Sequence, residues 1–186
     1  MNIVVVAERC KPVWELECLR KLGVGCRATT CALEWKFADA LILPADLKRT
    51  VLYGKTVALR ILIEDCQVPV LGIDNGMHLL MDDTAGLGIL PGKIKPLEQP
   101  HKGWNDVIPK NPGVFEGIGK FSAFFCHSHY CEPKDRRCVA AVTKYSTTTF
   151  PSALVEGNIS AIQFRLDKSG EFGIRMLERF LKRAKR

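Results

Sequence analysis

The chain has 186 residues, 47% hydrophobic and 25% charged, with a formal net charge of +7. That is an ordinary globular balance for one domain, residues 1–186, and it excludes a disordered or low-complexity chain. The charge does not indicate nucleic acid, because Arg175–Arg186 holds six basic residues and one acidic one, which leaves only +2 for the rest and fits a solvated, dipole-complementing helix end.

Ile3–Val6 predicts a buried strand, followed by a helix over Val13–Leu22. Ala38–Leu43 predicts a second strand ended by Pro44, then a helix over Val51–Asp65 and a strand over Val68–Ile73. Gly72–Gly76 turns sharply into a helix over Met77–Met81. Short apolar runs alternating with amphipathic stretches indicate a mostly parallel sheet flanked by helices. Beyond residue 90, Pro and Gly become frequent and the pattern predicts hairpin pieces at Phe121–Cys126, Cys138–Thr143 and Ile159–Phe164. A final helix starts near Ser169, where Phe172, Met176 and Phe180 recur every fourth residue beside Leu177 and Leu181, an apolar stripe made for a sheet. The expectation is one α/β domain with a β-rich second half.

No apolar run approaches the ~20 residues a bilayer span requires. Val4–Ala7 ends at Glu8 and Arg9 rather than opening a secretory core. A soluble, cytoplasmic chain with no membrane and no nucleic-acid partner is expected. The eight cysteines (Cys10, Cys18, Cys26, Cys31, Cys66, Cys126, Cys131 and Cys138) contain no C-x-x-C pair and are expected to be free thiols. The densest cluster is Cys126-His127-Ser128-His129-Tyr130-Cys131. On a strand, His127, His129 and Cys131 would share a face and Cys126 would point away. That spacing matches no standard structural zinc pattern, so a strand end is expected there, with no metal and no cofactor.

Gly72-Ile73-Asp74-Asn75-Gly76 has the G-x-nucleophile-x-G form of a strand-to-helix elbow. Alone, it is also the signature of any tight strand-to-helix turn. Further words follow it in order: Gly86-Leu87-Gly88-Ile89-Leu90-Pro91-Gly92, Pro100-His101-Lys102-Gly103-Trp104-Asn105, His127-Ser128-His129-Tyr130-Cys131-Glu132-Pro133, Phe150-Pro151-Ser152-Ala153 and Gln163-Phe164-Arg165-Leu166-Asp167-Lys168-Ser169. Together with Val70–Leu80, they resemble the class I glutamine amidotransferases. Within these they resemble the amidotransferase subunits of imidazole glycerol phosphate synthases, which serve histidine biosynthesis. The resemblance implies a flavodoxin-like fold and, in the family, a cysteine thiolate nucleophile activated by a histidine that a glutamate orients.

Here the three positions hold Asp74, Arg165 and Asp167. An arginine stays protonated and cannot take a proton from a nucleophile. The loop that supplies the family's oxyanion donor has two glycines; the corresponding stretch is Pro44-Ala45-Asp46-Leu47. In the former glutamine pocket, Ala45, Asp46, Asn75 and His78 are the expected lining, with His78 replacing the family's glutamine. An Asp74–Arg165 ion pair filling the old site is expected. Cys66 and Cys126 are the nearest substitute thiols, but neither forms a dyad with a histidine by position.

The resemblance further implies a partner, a cyclase-type (β/α)8 barrel synthase subunit that receives ammonia, contacted through His101, Trp104, Asn105 and Lys168. Ordinary core packing is the competing reading of Trp104. The function expected is that of an amidotransferase-like subunit without glutaminase activity. The alternatives are a stand-alone binding or regulatory protein on the same fold, or a hydrolase that uses Asp74 in the elbow.

Overall fold

The computed structural model describes residues 1–7, 14–47, 54–81, 86–110 and 115–185. Cys10, Val13 and Val51–Tyr53, which figure in the expectations above, lie outside the described residues. Five short strands, β1 (Asn2–Val5), β2 (Gly25–Ala28), β3 (Ala40–Leu43), β4 (Val70–Ile73) and β9 (Ile159–Ile162), pair in parallel in the order β2-β1-β3-β4-β9. This is the 2-1-3-4-5 order of the flavodoxin-like fold. Four antiparallel strands extend the sheet beyond β9: β8 (Thr148–Glu156), β7 (Val139–Tyr145), β5 (Gly92–Pro109) and β6 (Phe121–Pro133).

Period-two alternation along the parallel strands builds two cores. Ile3, Val5, Ile42, Leu71 and Ile73 point to one face, where α1 (Trp14–Lys21) adds Leu16 and Leu19 and α5 (Gly170–Ala184) adds Met176, Leu177, Phe180 and Leu181. Val4, Leu41, Leu43 and Val70 point to the other. There they meet Trp35 of α2 (Ala32–Trp35), Leu59 and Leu62 of α3 (Thr56–Glu64), and Met77 and Leu80 of α4 (Asn75–Met81). Each large side chain so buried contributes about 1.5–3 kcal/mol. Among the described residues no helix is long and apolar enough to cross a membrane.

The second half is more continuous than the sequence pattern suggests. The expected piece Phe121–Cys126 is the start of a 13-residue strand, β6, so the His127–Cys131 cluster lies in mid-strand rather than at a strand end. Its partner β5 runs for 18 residues through Pro96 and Pro100. The prolines are accommodated at an irregularity in the β5–β6 ladder between Pro96 and His101, where a missing N–H costs no ladder bond.

Candidate active site

The elbow forms because two side chains are missing. A Cβ on Gly76 would lie 2.0 Å from the Leu43 carbonyl oxygen, and one on Gly72 would lie 2.7 Å from Leu80 Cδ1 and 2.9 Å from the Gly76 carbonyl oxygen. With hydrogen in both places, β4 turns into α4 within two residues. Asp74 sits at the tip with φ 50°, a left-handed conformation that a non-glycine residue holds only when its surroundings fix it. They do so here: the Asp74 amide donates to Ile162 O at 2.8 Å, and its carbonyl accepts from Met77 N and His78 N.

The Asp74 side chain points into the protein and is 4% exposed. Its Oδ1 accepts a 2.8 Å bond from Nε2 of Gln163, a fully buried residue just past β9. Gln163 Oε1 lies 2.9 Å from His78 Nε2. An amide oxygen only accepts, so the His78 ring donates through Nε2 and the chain runs His78 to Gln163 to Asp74. Burial pushes the Asp74 carboxyl up to about 7, against the pull of the Arg165 guanidinium and the Gln163 amide.

Arg165 is committed elsewhere. Its Nε and Nη2 donate to the two oxygens of Asp167, each at 2.8 Å, and Nη1 donates to Asp46 Oδ1 at 3.0 Å. The bidentate bond fixes the guanidinium plane. The ion pair expected between Asp74 and Arg165 is therefore not formed: two carboxylates outside the elbow take the guanidinium, and Asp74 takes an amide. The backbone is held too. Arg165 N donates to Phe124 O, and Ser169, 3% exposed, donates to Arg165 O while accepting from Phe124 N.

Asp46 is 84% exposed and Ala45 is buried. Leu47 N closes a turn on Pro44 O at 3.1 Å. Asn75 opens α4 with its side chain toward solvent. Glu15, in the first turn of α1, completes the surroundings. It is 5% exposed, burial pushes its carboxyl up to about 7, and Asp167, Arg165 and Asp46 are among its charged neighbours. Neither Glu15 nor Gln163 was marked as a site residue by sequence. An acidic residue in a first helical turn reads as dipole complementation, and Gln163 reads as one more word of the terminal motif.

Of the thiols, Cys66 is exposed and Cys126 half-buried. The thiol electrostatically coupled to the elbow is Cys131, which is fully buried. Burial, and then the Asp74 carboxyl, raise its pKa, so it stays a thiol and is no nucleophile. Among the described residues no group of three or more His, Cys, Asp or Glu is arranged to hold a metal ion. In the Cys126–Cys131 cluster, His127 and Cys131 are buried but His129 is exposed and bonds Ser128.

The residues expected at a partner surface separate into two groups. His101 is corrected: it is 2% exposed, stacked between Phe125 and Tyr145 at centroid distances of 4.6 and 4.0 Å. Its Nδ1 lies 3.1 Å from His127 Nε2, and its Nε2 3.2 Å from Asn105 Nδ2. Since His127 Nδ1 faces His129 O at 2.8 Å, the donors run Asn105 to His101 to His127 to the β6 backbone. Burial holds both rings near a pKa of about 4, hence neutral. Asn105 also donates to Lys144 O, so its amide belongs to this internal chain. Trp104, by contrast, is 59% exposed, which excludes the core reading. It stands edge-on to Phe124 at 6.1 Å, and Lys168 Nζ lies 5.6 Å from the same ring.

Comparison with known proteins agrees with this geometry. Residues 16–184 match the family model for glutamine amidotransferase class-I. The chain is 40% identical over 157 residues to the imidazole glycerol phosphate synthase subunit HisH of Methanocaldococcus jannaschii, covering 78% of this chain and 74% of that protein. It is 34% identical over 166 residues to the HisH of Pyrococcus furiosus, covering 82% and 86%. It is 35% identical over 130 residues to the hisH of Cyanophora paradoxa, covering 62% of this chain but only 60% of that protein. Among solved structures, a glutamine amidotransferase superposes with a TM-score of 0.76 at 19% identity over 99% of both chains. A glutamine amidotransferase of Methylobacillus flagellatus superposes with 0.70 at 10% identity over 97% and 93%. An elbow between β4 and α4 on a 2-1-3-4-5 sheet, in a chain with these relatives, places the protein in the class I glutamine amidotransferase family, where its sequence is similar to the HisH subunits.

Proposed function

We propose that this chain is the glutamine amidotransferase-like subunit of an imidazole glycerol phosphate synthase-type assembly, docked on a cyclase-type (β/α)8 barrel, and that it does not hydrolyse glutamine. The observation that carries the second half is the occupancy of the elbow. Its tip presents a buried carboxyl bonded to an amide, and the position of the family's base presents a guanidinium locked to Asp46 and Asp167. A carboxyl provides no thiolate, and a guanidinium that stays protonated cannot take the proton of a thiol. Asp74 is a poor nucleophile for other hydrolysis as well, because burial keeps it partly protonated near neutrality. The docking half is supported by the exposed Trp104 beside Phe124 and Lys168, an aromatic anchor with a charged rim of the kind found in interface hot spots. Among the described residues, nine strands in one continuous sheet support a single unit.

The test is glutamate release from glutamine by the purified chain, alone and mixed with a cyclase-type barrel subunit, together with co-purification of the two. Complex formation without glutamate release is expected. Turnover that vanishes when Asp74 or Cys131 is replaced would overturn the inactive assignment, and absence of any complex would favour a stand-alone role.

A further inference from the structure

A cavity of about 470 Å³ opens where the start of β5 meets the end of β6, away from the elbow. Lys93 and Lys95 line it from β5, Glu132 from β6, and Lys134 and Arg136 from the connection beyond. Lys93 and Lys95 are two residues apart on one strand and so share a face, and Lys93 pairs with Glu132 across the ladder. At the base, a Cβ on Gly92 would lie 2.4 Å from the Glu132 carbonyl oxygen, so only backbone fits there and the strands close tightly beneath the lysines.

The charges in this cavity do not cancel. Glu132 takes Lys95 Nζ at 2.7 Å, and Lys95, Arg136 and Lys93 together hold its carboxyl below the usual range. Lys93, Lys134 and Arg136 have no carboxylate in salt-bridge contact among the described residues. Asp135, which lies between Lys134 and Arg136 in sequence, is already bound to Arg137. It accepts from Arg137 N and pairs with the Arg137 guanidinium at 2.6 Å. That bond also fixes the turn Arg136–Cys138 on which Arg136 is carried. Four cations against one carboxylate, presented in a concavity of small-molecule size, are the complement of a compact multivalent anion. The net charge of the sequence hides this feature, because its members come from two segments about forty residues apart that only the β5–β6 ladder brings together.

We propose that this cavity is a binding site for a small phosphorylated ligand, with Lys93, Lys134 and Arg136 as the phosphate-binding side chains. The site is distinct from the elbow. Cys131 points inward, with Asp74 among its charged neighbours, and the adjacent Glu132 points outward into the cavity. The two sites therefore lie on opposite sides of one strand.

Titration calorimetry of the full chain with inorganic pyrophosphate at low ionic strength tests the site. Saturable binding of one pyrophosphate per chain is expected, weakened about tenfold or more by Arg136→Ala and by Lys93→Ala. The control variant Lys182→Ala/Arg183→Ala in the basic helix end of α5 is expected to bind as the unsubstituted chain does. All substituted residues lie at or near the surface, so circular dichroism and melting curves should be unchanged. Absence of saturable binding, unchanged affinity relative to the unsubstituted chain in Arg136→Ala and Lys93→Ala, or an equal loss in the α5 variant would each overturn the proposal, the last by reducing it to general charge attraction.

Discussion

Arg165 Nη1 lies 3.0 Å from Asp46 Oδ1, across 119 residues of sequence, and ties the turn after β3 to the segment after β9. By the resemblance, these are the segments that correspond to the family's oxyanion loop and base, and the contact joins the two directly. Its energetic share is small, because the Asp46 side chain is 84% exposed and exposed pairs contribute ~1 kcal/mol or less. The bond to Asp167 is different: both partners are largely covered, 14% and 22% exposed, and it is bidentate. In urea unfolding, Asp46→Ala should cost under ~1 kcal/mol, and Arg165→Met ~2 kcal/mol or more, since it strands Asp167 beside Glu15. Equal costs would show that the Arg165–Asp46 contact, and not the Asp167 pair, carries the stability.

Restoring the two catalytic side chains should not restore catalysis. In an Asp74→Cys/Arg165→His variant, the thiol inherits Gln163 and His78 as neighbours. The new imidazole meets an Asp167 one methylene shorter than glutamate. The Pro44–Leu47 turn, closed by Leu47 N on Pro44 O, carries side chains where the resemblance calls for glycines, and loss of an oxyanion donor alone costs about 10²–10³ in rate. Glutamate release by this variant should stay within about tenfold of background. Turnover of a normal enzyme would mean that the oxyanion site survives in the turn.

Much of the parallel half was legible because strands buried on both faces read as apolar runs: Ala40–Leu43 and Val70–Ile73 announce themselves. β2 did not, since Gly25-Cys26-Arg27-Ala28 is a half-exposed edge without a pattern. β5 did not either, because Pro96 and Pro100 read as breakers until the ladder irregularity accommodates them. At the site, motif order singled out Asp74, Arg165, Asp167 and His78. Their partners were not legible, because charge alone pairs Asp74 with Arg165. The elbow buries the first and leaves the second within reach of Asp46 and Asp167. His101 was misplaced for a similar reason: its motif neighbour Trp104 faces outward, while His101 falls on the ring-lined inner face.

The buried ionisable groups set opposing pH dependences. Burial raises Asp74 from 3.8 and Glu15 from 4.5 to about 7. The folded chain therefore holds protons that the unfolded chain releases, and this contribution to stability falls as pH rises through about 4 to 7. His101 and His127 are lowered from 6.5 to about 4, so their contribution rises from about pH 4 to 6.5. Asp74→Asn removes one falling contribution while its side-chain oxygen still accepts from Gln163. Relative to the parent, the variant should gain stability between pH 4 and 7 and level off above that. Urea midpoints at pH 5 and pH 8 measure it, and a difference independent of pH would show that Asp74 titrates normally.

Trp104 separates docking from folding. At 59% exposure, its indole has little core to lose, and Trp104→Ala should change stability by less than ~1 kcal/mol. Trp35 is the internal control: it is fully buried, with Nε1 donating to Thr29 O, so Trp35→Ala should cost ~3–5 kcal/mol and melt early. If Trp104, Phe124 and Lys168 form the docking surface, Trp104→Ala should weaken the complex with the barrel subunit by ~2 kcal/mol or more. Lys168→Ala should weaken it less, and in a salt-dependent way, because a rim charge acts mainly through steering. Phe124 joins the two effects, since its ring faces both the indole edge and the ammonium; Phe124→Ala should therefore lower affinity and also reduce the further effect of Lys168→Ala. A Trp104→Ala chain that keeps its melting temperature and binds the barrel as tightly as the parent would move the interface away from this cluster.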